Sequence, residues 1–400
     1  MNFKFDKPHH VKTTLIGGAV VFTFFLGYYL LLLFGHTSSD IQAHAKIAYA
    51  YAVNNDKLFP NFLYFFLVAV VAGFSKNIYA YYAASVILIC FALAAKFLIT
   101  QQYLKKYLDK VNYKQLLFPA LAVMMLFVFA LPAINFFTDK QFYYGTLPPN
   151  VWHNSTVIFL MPFSVLLFFK SYELLFSGIA VSKKGLLQIF VLVIINAFIK
   201  PSFLFTVIPT VFIFFCWNKF VKKTTASVYA GLVPYIAGLL VIAAEYYLIF
   251  KQGHISSVVN SDTAASVAVE PFVVWKNYSP NMLVSFAASF FFPLLYIVVT
   301  KGAVLKKQLV QFAMVNYAGA MLMWILFAEE GNRKFDANFC WQAIVGAYLL
   351  FLSLLISYMN DCYTKQISKK QQYIIGTAFL LHFVWGVVYW LKIIIFKDYV

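Results

Sequence analysis

Charge is scarce in this chain: Asp, Glu, Lys and Arg together supply 11% of 400 residues. A soluble protein carries roughly a quarter of its residues as charge, so a water-exposed surface of ordinary size is excluded. Acidic residues number 14, and of the 31 basic residues a single one, Arg333, is arginine. Cysteine is rare as well. Cys90, Cys216, Cys340 and Cys362 lie far apart, mostly in apolar runs, with no CxxC or Cys/His pairing, which excludes a zinc ribbon or a disulfide framework and leaves packing residues. Walker, GxGxxG, HExxH and GxSxG motifs are all absent, as is any visible internal duplication. These absences speak against nucleotide binding, zinc proteolysis, α/β-hydrolase chemistry and an inverted-repeat transporter. Serial intramembrane acids, expected of a proton-driven pump, are missing too.

What the chain has instead is apolar length. Hydrophobic residues make up 62% and aromatic residues 20%, with a mean hydropathy of +0.78. Stretches long enough to cross a bilayer run near 14–34, 61–73, 78–100, 115–137, 155–176, 185–199, 202–217, 226–250, 282–300, 308–328, 338–358 and 373–396. The expected fold is therefore all-α, a polytopic transmembrane helical bundle of about 11–13 spans, at ~20 residues per crossing. Lys4, Lys7 and Lys12 precede the first run, which is too long for a signal-peptide core and reads as a retained span with a cytoplasmic N-terminus. Lysine clusters at 183–184, 219–223, 301–307 and 365–370 mark cytoplasmic loops. The +17 net charge is thus a tally of loops facing anionic lipid, and nucleic acid is not an expected partner.

From those anchors the segments 36–60, 139–153, 200–201, 251–281 and 329–336 share the outer face of a plasma (inner) membrane. Lys105, Lys106, Lys110 and Lys114 break the pattern, because two crossings between Pro60 and Thr100 leave them outside. A partial or re-entrant span at Asn61–Gly73, short and ending in Gly73-Phe74-Ser75, restores it.

After the first span, His36 to Ala52 is alanine-rich and suits a helix lying at the membrane surface, with Ser38 or Ser39 as N-cap. Asp40 and His44 are four apart and project from one face of its first turn. An acceptor carboxylate beside a group that titrates near neutrality suits general base work; a dipole-favoured Asp and a solvated His is the plainer alternative. Downstream come Asn54-Asn55-Asp56, Pro60 to Phe66, a short apolar run, and a long one closing on Lys105-Lys106. This layout resembles the opening module of the GT-C superfamily of membrane glycosyltransferases, which use polyprenyl-phosphate-linked sugars. The resemblance covers roughly residues 1–180, one module with the interfacial helix. Residues 181–400 are then the helices that complete the lipid-donor site. It implies that Asp40 is the catalytic base or an acceptor- or metal-contacting group. The paired acids or Arg-x-x-Asp-like segment that many members carry after the fourth span are not found.

Two further outer clusters stand out. Trp152, His153 and Asn154 follow a Pro148-Pro149 turn at the mouth of a span; the ring can stack on a sugar and the polar pair can bond hydroxyls or phosphate, while an aromatic belt is the alternative. Glu329, Glu330, Asn332 and the lone Arg333 form the most charged outer segment. A guanidinium suits bidentate contact with phosphate, or pairs internally with Glu329 or Glu330. Lys200, at the tight Lys200-Pro201 turn, is a second phosphate contact or a snorkelling residue. Glu245 falls in an apolar run with no evident partner, His382 suits hydrogen-bonded packing, and Lys170 and Glu173 suit a mutual pair.

The expected activity is transfer of a sugar, by an enzyme of the inverting kind, from a polyprenyl-phosphate-linked donor to a glycan or lipid acceptor at the outer face. Asp40 and His44 act on the acceptor. Arg333, Glu329, Glu330, Asn332 and Lys200 serve the donor phosphate, and Trp152, His153 and Asn154 the sugar. No cofactor is certain; a divalent metal is possible, with no convincing ligand set in the sequence. A polysaccharide polymerase or ligase, or a lipid-linked-saccharide flippase, are the alternatives.

Overall fold

The computed structural model describes residues 8–35, 37, 39–108, 117–127, 147–178, 181–221, 229–258 and 266–397. Lys4, Lys7, Lys110, Lys114, His36 and Ser38 lie outside the described residues. Helix α1 (Pro8–Phe34) leads to α2 (Asp40–Asn54), α3 (Leu63–Val71), α4 (Ile78–Tyr107), α5 (Leu117–Leu126), α6 (Ser155–Phe176) and α7 (Lys183–Ile199). Then come α8 (Leu204–Cys216), α9 (Tyr229–Tyr246), α10 (Val273–Tyr278), α11 (Met282–Ser289), α12 (Phe291–Val299), α13 (Gln308–Leu326), α14 (Trp341–Tyr363) and α15 (Lys369–Phe396). One antiparallel pair interrupts the helices, β1 (Val267–Val269) with β2 (Phe327–Glu329), in the register Val267 to Glu329.

The helices form because their backbone bonds are internal, the condition for crossing a bilayer, and polar residues fix where they start. Asn77 caps α4 through Tyr79 N–H (3.0 Å), Ser182 caps α7 through Gly185 N–H (3.2 Å), and Ser368 and Gln371 form a reciprocal capping box on α15. Ser39 stands at the N-cap of α2 in extended conformation, yet its hydroxyl bonds Gln42 rather than the helix backbone.

Eight helical segments among the described residues are long and apolar enough to cross a membrane, or nine if α11 and α12, bent by 66°, form one span. The chain is thus a multi-pass, predominantly helical membrane protein, and its described residues hold eight or nine candidate spans against the 11–13 expected for the whole chain. Two of the apolar runs account for much of the difference: 61–73 yields only the nine-residue α3, and 185–199 the 17-residue α7. Of the 115–137 run, only Leu117–Phe127 belongs to the described residues.

The short α3 resolves the lysine anomaly. Lys105 Nζ donates to Thr14 Oγ1 at 2.7 Å, so the end of α4 lies beside the beginning of α1, while α2 and α3 sit together at the opposite end. Around Lys105 gathers a polar network. Lys106 and Lys170 pair with Glu173 at 2.7 and 3.4 Å. Asn360 Nδ2 donates to Tyr107 O at 2.6 Å, and Lys307 pairs with the buried Asp361. His382, fully buried, accepts from Phe292 N–H at 3.2 Å and packs as expected. The lysine-rich end is therefore well separated from the end that carries Asp40.

Candidate functional site

At that other end a cavity of about 780 Å³ opens between α2, the mouth of α6, the turn at Lys200 and the segment after β2. Asp40 begins α2. One of its oxygens, Oδ2, accepts from Asn154 Nδ2 at 2.7 Å. Asn154 is at the same time the N-cap of α6: its Oδ1 accepts from Val157 N–H at 3.1 Å and from Thr156 Oγ1 at 2.7 Å. The amide therefore uses its acceptor for the helix and its donor for the carboxylate, leaving Asp40 oriented by a residue that cannot itself move without uncapping a span. One turn along, His44 Nδ1 meets Ser155 Oγ at 2.8 Å, and its ring lies edge-on to Phe65 and Tyr64.

Burial pulls the His44 pKa from 6.5 down to about 4, Asp40 opposing and the Lys200 and His153 charges adding to the fall. His44 is therefore a neutral imidazole at physiological pH. Asp40 and His44 both bond to the entry of α6, Asp40 to Asn154 and His44 to Ser155, and among the described residues no hydrogen bond joins them to each other. His153, with 8% of its surface exposed, stands 5.5 Å from the Trp341 ring. Burial lowers its pKa too, with Asp40 pulling upward and Lys200 downward.

Lys200 is positioned by backbone. It is extended (φ −169°, ψ 120°) between α7 and a short turn opened by Pro201, and its ammonium lies 5.4 Å from the Trp341 ring centroid, a cation–π distance. Burial draws its pKa from 10.5 to about 8, against the upward pull of Asp40, Cys340 and Glu329 and with the downward push of Arg333. Those influences place Lys200 electrostatically among Asp40, Glu329 and Arg333.

Arg333 lies on a 3-10 turn, Gly331–Asp336. Its Nε reaches Glu329 Oε2 at 3.4 Å and Asp336 Oδ2 at 3.3 Å, and Asn338 Nδ2 donates to the same Glu329 oxygen at 2.9 Å. Ion pairing of Lys334 with Glu270, and the bond from Tyr278 hydroxyl to Phe335 carbonyl, fasten the segment to its surroundings. Both readings of Arg333 thus have a place in the geometry. The internal pair exists, but it engages Nε alone, and the two terminal amino groups of the fork are uncommitted among the described residues. That fork is the part suited to bidentate oxyanion contact.

Of the residues singled out in the sequence, Asp40, His44, His153, Asn154, Lys200, Glu329 and Arg333 line this one cavity. Three do not. Trp152 is 1% exposed and packed on Tyr389 and Trp390, which makes it a core anchor behind the loop and not a sugar platform. Glu330 and Asn332 are exposed and outside the lining. Sequence reasoning passed over Asp336, Asn338 and Trp341, which also line the cavity. Their signal was the one used for Trp152 to Asn154, polar and aromatic residues just ahead of a span. Both proposed modules contribute, 1–180 through Asp40, His44 and Asn154, and 181–400 through Lys200, Glu329 and Arg333. Among the described residues no group of three or more His, Cys, Asp or Glu side chains converges as a metal site. Compared with models of known protein families, with curated proteins and with solved structures, the chain matches none.

Proposed function

We propose that the cavity transfers a sugar from a polyprenyl-phosphate-linked donor to a glycan or lipid acceptor at the extracytoplasmic face of the membrane. The observation that carries this reading is the convergence, on one cavity away from the lysine-rich end, of an oriented carboxylate with two cations, Asp40 with Lys200 and Arg333. Its volume lies within the range of small-molecule sites.

In this reading the acceptor hydroxyl gives its proton to the free oxygen of Asp40 as its oxygen bonds to the anomeric carbon. The bond from that carbon to the phosphate oxygen breaks, and the electron pair leaves with the phosphate. Lys200 and the terminal amino groups of Arg333 stand ready for the charge that grows on the departing oxygen. Preorganised cations of this kind are commonly the larger contribution, and proton removal the smaller. Glu329 and Asp336 hold Arg333 by Nε, and the neutral His44 and His153 supply hydrogen bonds without adding charge.

The test is transfer by purified full-length protein in liposomes, from polyprenyl-phosphate sugars to a panel of glycan and lipid acceptors. Asp40→Asn should slow transfer roughly 100-fold or more, and Arg333→Lys roughly tenfold through loss of the bidentate fork. Full transfer by both variants would overturn the assignment of these two residues.

A further inference from the structure

Glu245 takes no part in that mechanism. It sits at the C-terminal end of α9, inside a span running from Ala230 to Lys251, where the helix changes from α to π geometry at Tyr247. Its surface is 5% exposed, and neither carboxylate oxygen has a hydrogen-bond partner among the described residues. None of the ion pairs among those residues involves it. Lys251, the nearest cation along the chain, lies six residues on, ~9 Å at 1.5 Å per residue. Yet Glu245 is part of the cavity wall, beside Ile242, Tyr246, Ile249 and Phe250.

A carboxyl withdrawn from water with nothing to bond is costly, and an ionised one far more so. Such a group is retained where a ligand completes it. The donor phosphate is not that ligand, since two anions would repel; Lys200 and Arg333 already serve it. Hydroxyls would satisfy the oxygens of a protonated carboxyl, but only through neutral hydrogen bonds, about half as strong as charge-assisted ones. An ammonium removes the charge and supplies three donors. Aromatic rings favour it further: Tyr246 and Phe250 pack on one another at 4.9 Å between centroids on the same wall, and ring faces attract cations more strongly than hydroxyls.

We propose that Glu245 forms an ammonium-binding subsite of the cavity, taking a primary amine carried by an amino sugar or by an ethanolamine lipid headgroup. The subsite stands on the cavity and its unpartnered acid, and holds whether or not the cavity transfers sugar.

The experiment measures thermal unfolding of the full-length protein in phosphatidylglycerol nanodiscs, with added methyl glucosaminide, with methyl glucoside, or with phosphatidylethanolamine built into the disc. An amine-bearing probe should raise the midpoint in the wild type, and Glu245→Gln should weaken that binding about tenfold or more, the loss of a charged hydrogen-bond acceptor. Methyl glucoside should give no shift. A Glu245-dependent shift with methyl glucosaminide assigns an amino sugar, and one with phosphatidylethanolamine alone assigns the lipid headgroup. Equal shifts from glucoside and glucosaminide, an undiminished shift in Glu245→Gln, or no Glu245-dependent shift with either amine would overturn the proposal. Ligand-free Glu245→Gln should unfold no earlier than the wild type, because one unpartnered buried polar group replaces another of the same size; earlier unfolding would instead show Glu245 holding the fold. Asp40→Asn should keep the amine-dependent shift while losing transfer, so the two proposals fail separately.

Discussion

Lys200 is a cavity cation whose charge changes near physiological pH. Burial holds its pKa at about 8, so the ammonium is present below that value and is lost as pH rises through it. If it stabilises the departing phosphate, transfer should fall on the alkaline side with a midpoint near 8. Lys200→Arg should keep a fixed charge and carry the rate past that midpoint, whereas Lys200→Met should cost roughly 100-fold, the effect of one preorganised donor. A rate-against-pH series on the three proteins decides the matter, and an alkaline limb unchanged in Lys200→Arg would assign the titration to another group. The turn made Lys200 legible in the sequence, since an exposed loop has little need of a lysine before proline. Lys96 was not legible. It is 2% exposed within α4, its ammonium 3.6 Å from the Tyr348 ring centroid and 3.3 Å from Asn150 Oδ1. A single lysine in an apolar run gives no hint of partners that come from remote segments.

At the scale of elements, the site is held by one helix entry. Asn154 is 114 residues from Asp40, and sequence reasoning found both, each as a polar residue next to a span end. It could not find the bond between them, because the crossing of α2 over the mouth of α6 is a tertiary fact. The bond makes the roles of Asn154 separable. Asn154→Asp retains a side-chain oxygen for the Val157 and Thr156 donors and so keeps the cap, but it replaces the amide donor with a second anion facing Asp40. That variant should unfold near the wild-type temperature and lose most of its transfer. Asn154→Ala should lose the cap as well, about 1 kcal/mol, with a lower unfolding midpoint and a comparable loss of transfer. Paired melting and activity measurements separate the two; wild-type activity in Asn154→Asp would mean that the Asp40 contact does not orient the base.

For the molecule as a whole, the arrangement of the first four helices decides which end faces which side. Composition made the membrane class and the lysine-rich end legible, but hydropathy alone counted the run at 61–73 as a crossing. It could not register that the helix there stops at nine residues, about 14 Å at 1.5 Å per residue, against a hydrocarbon core of about 30 Å. Helix α4, with 30 residues, extends about 45 Å and is long enough to be the return. Two exposed lysines bracket that difference: Lys76 stands just ahead of α4, and Lys106 lies at its far end. In a background with the four native cysteines replaced, Lys46→Cys on α2 and Lys76→Cys should react with a membrane-impermeant maleimide from the same side. Lys106→Cys and Lys365→Cys should react only after the membrane is opened. If α3 did cross, Lys76→Cys would instead label with Lys365→Cys, and Lys106→Cys with Lys46→Cys. The same labelling fixes the side of the cavity, because Lys46 shares α2 with Asp40 and His44. An extracytoplasmic cavity requires Lys46→Cys to label on intact cells, and protection of that position until permeabilisation would put the cavity on the cytoplasmic side.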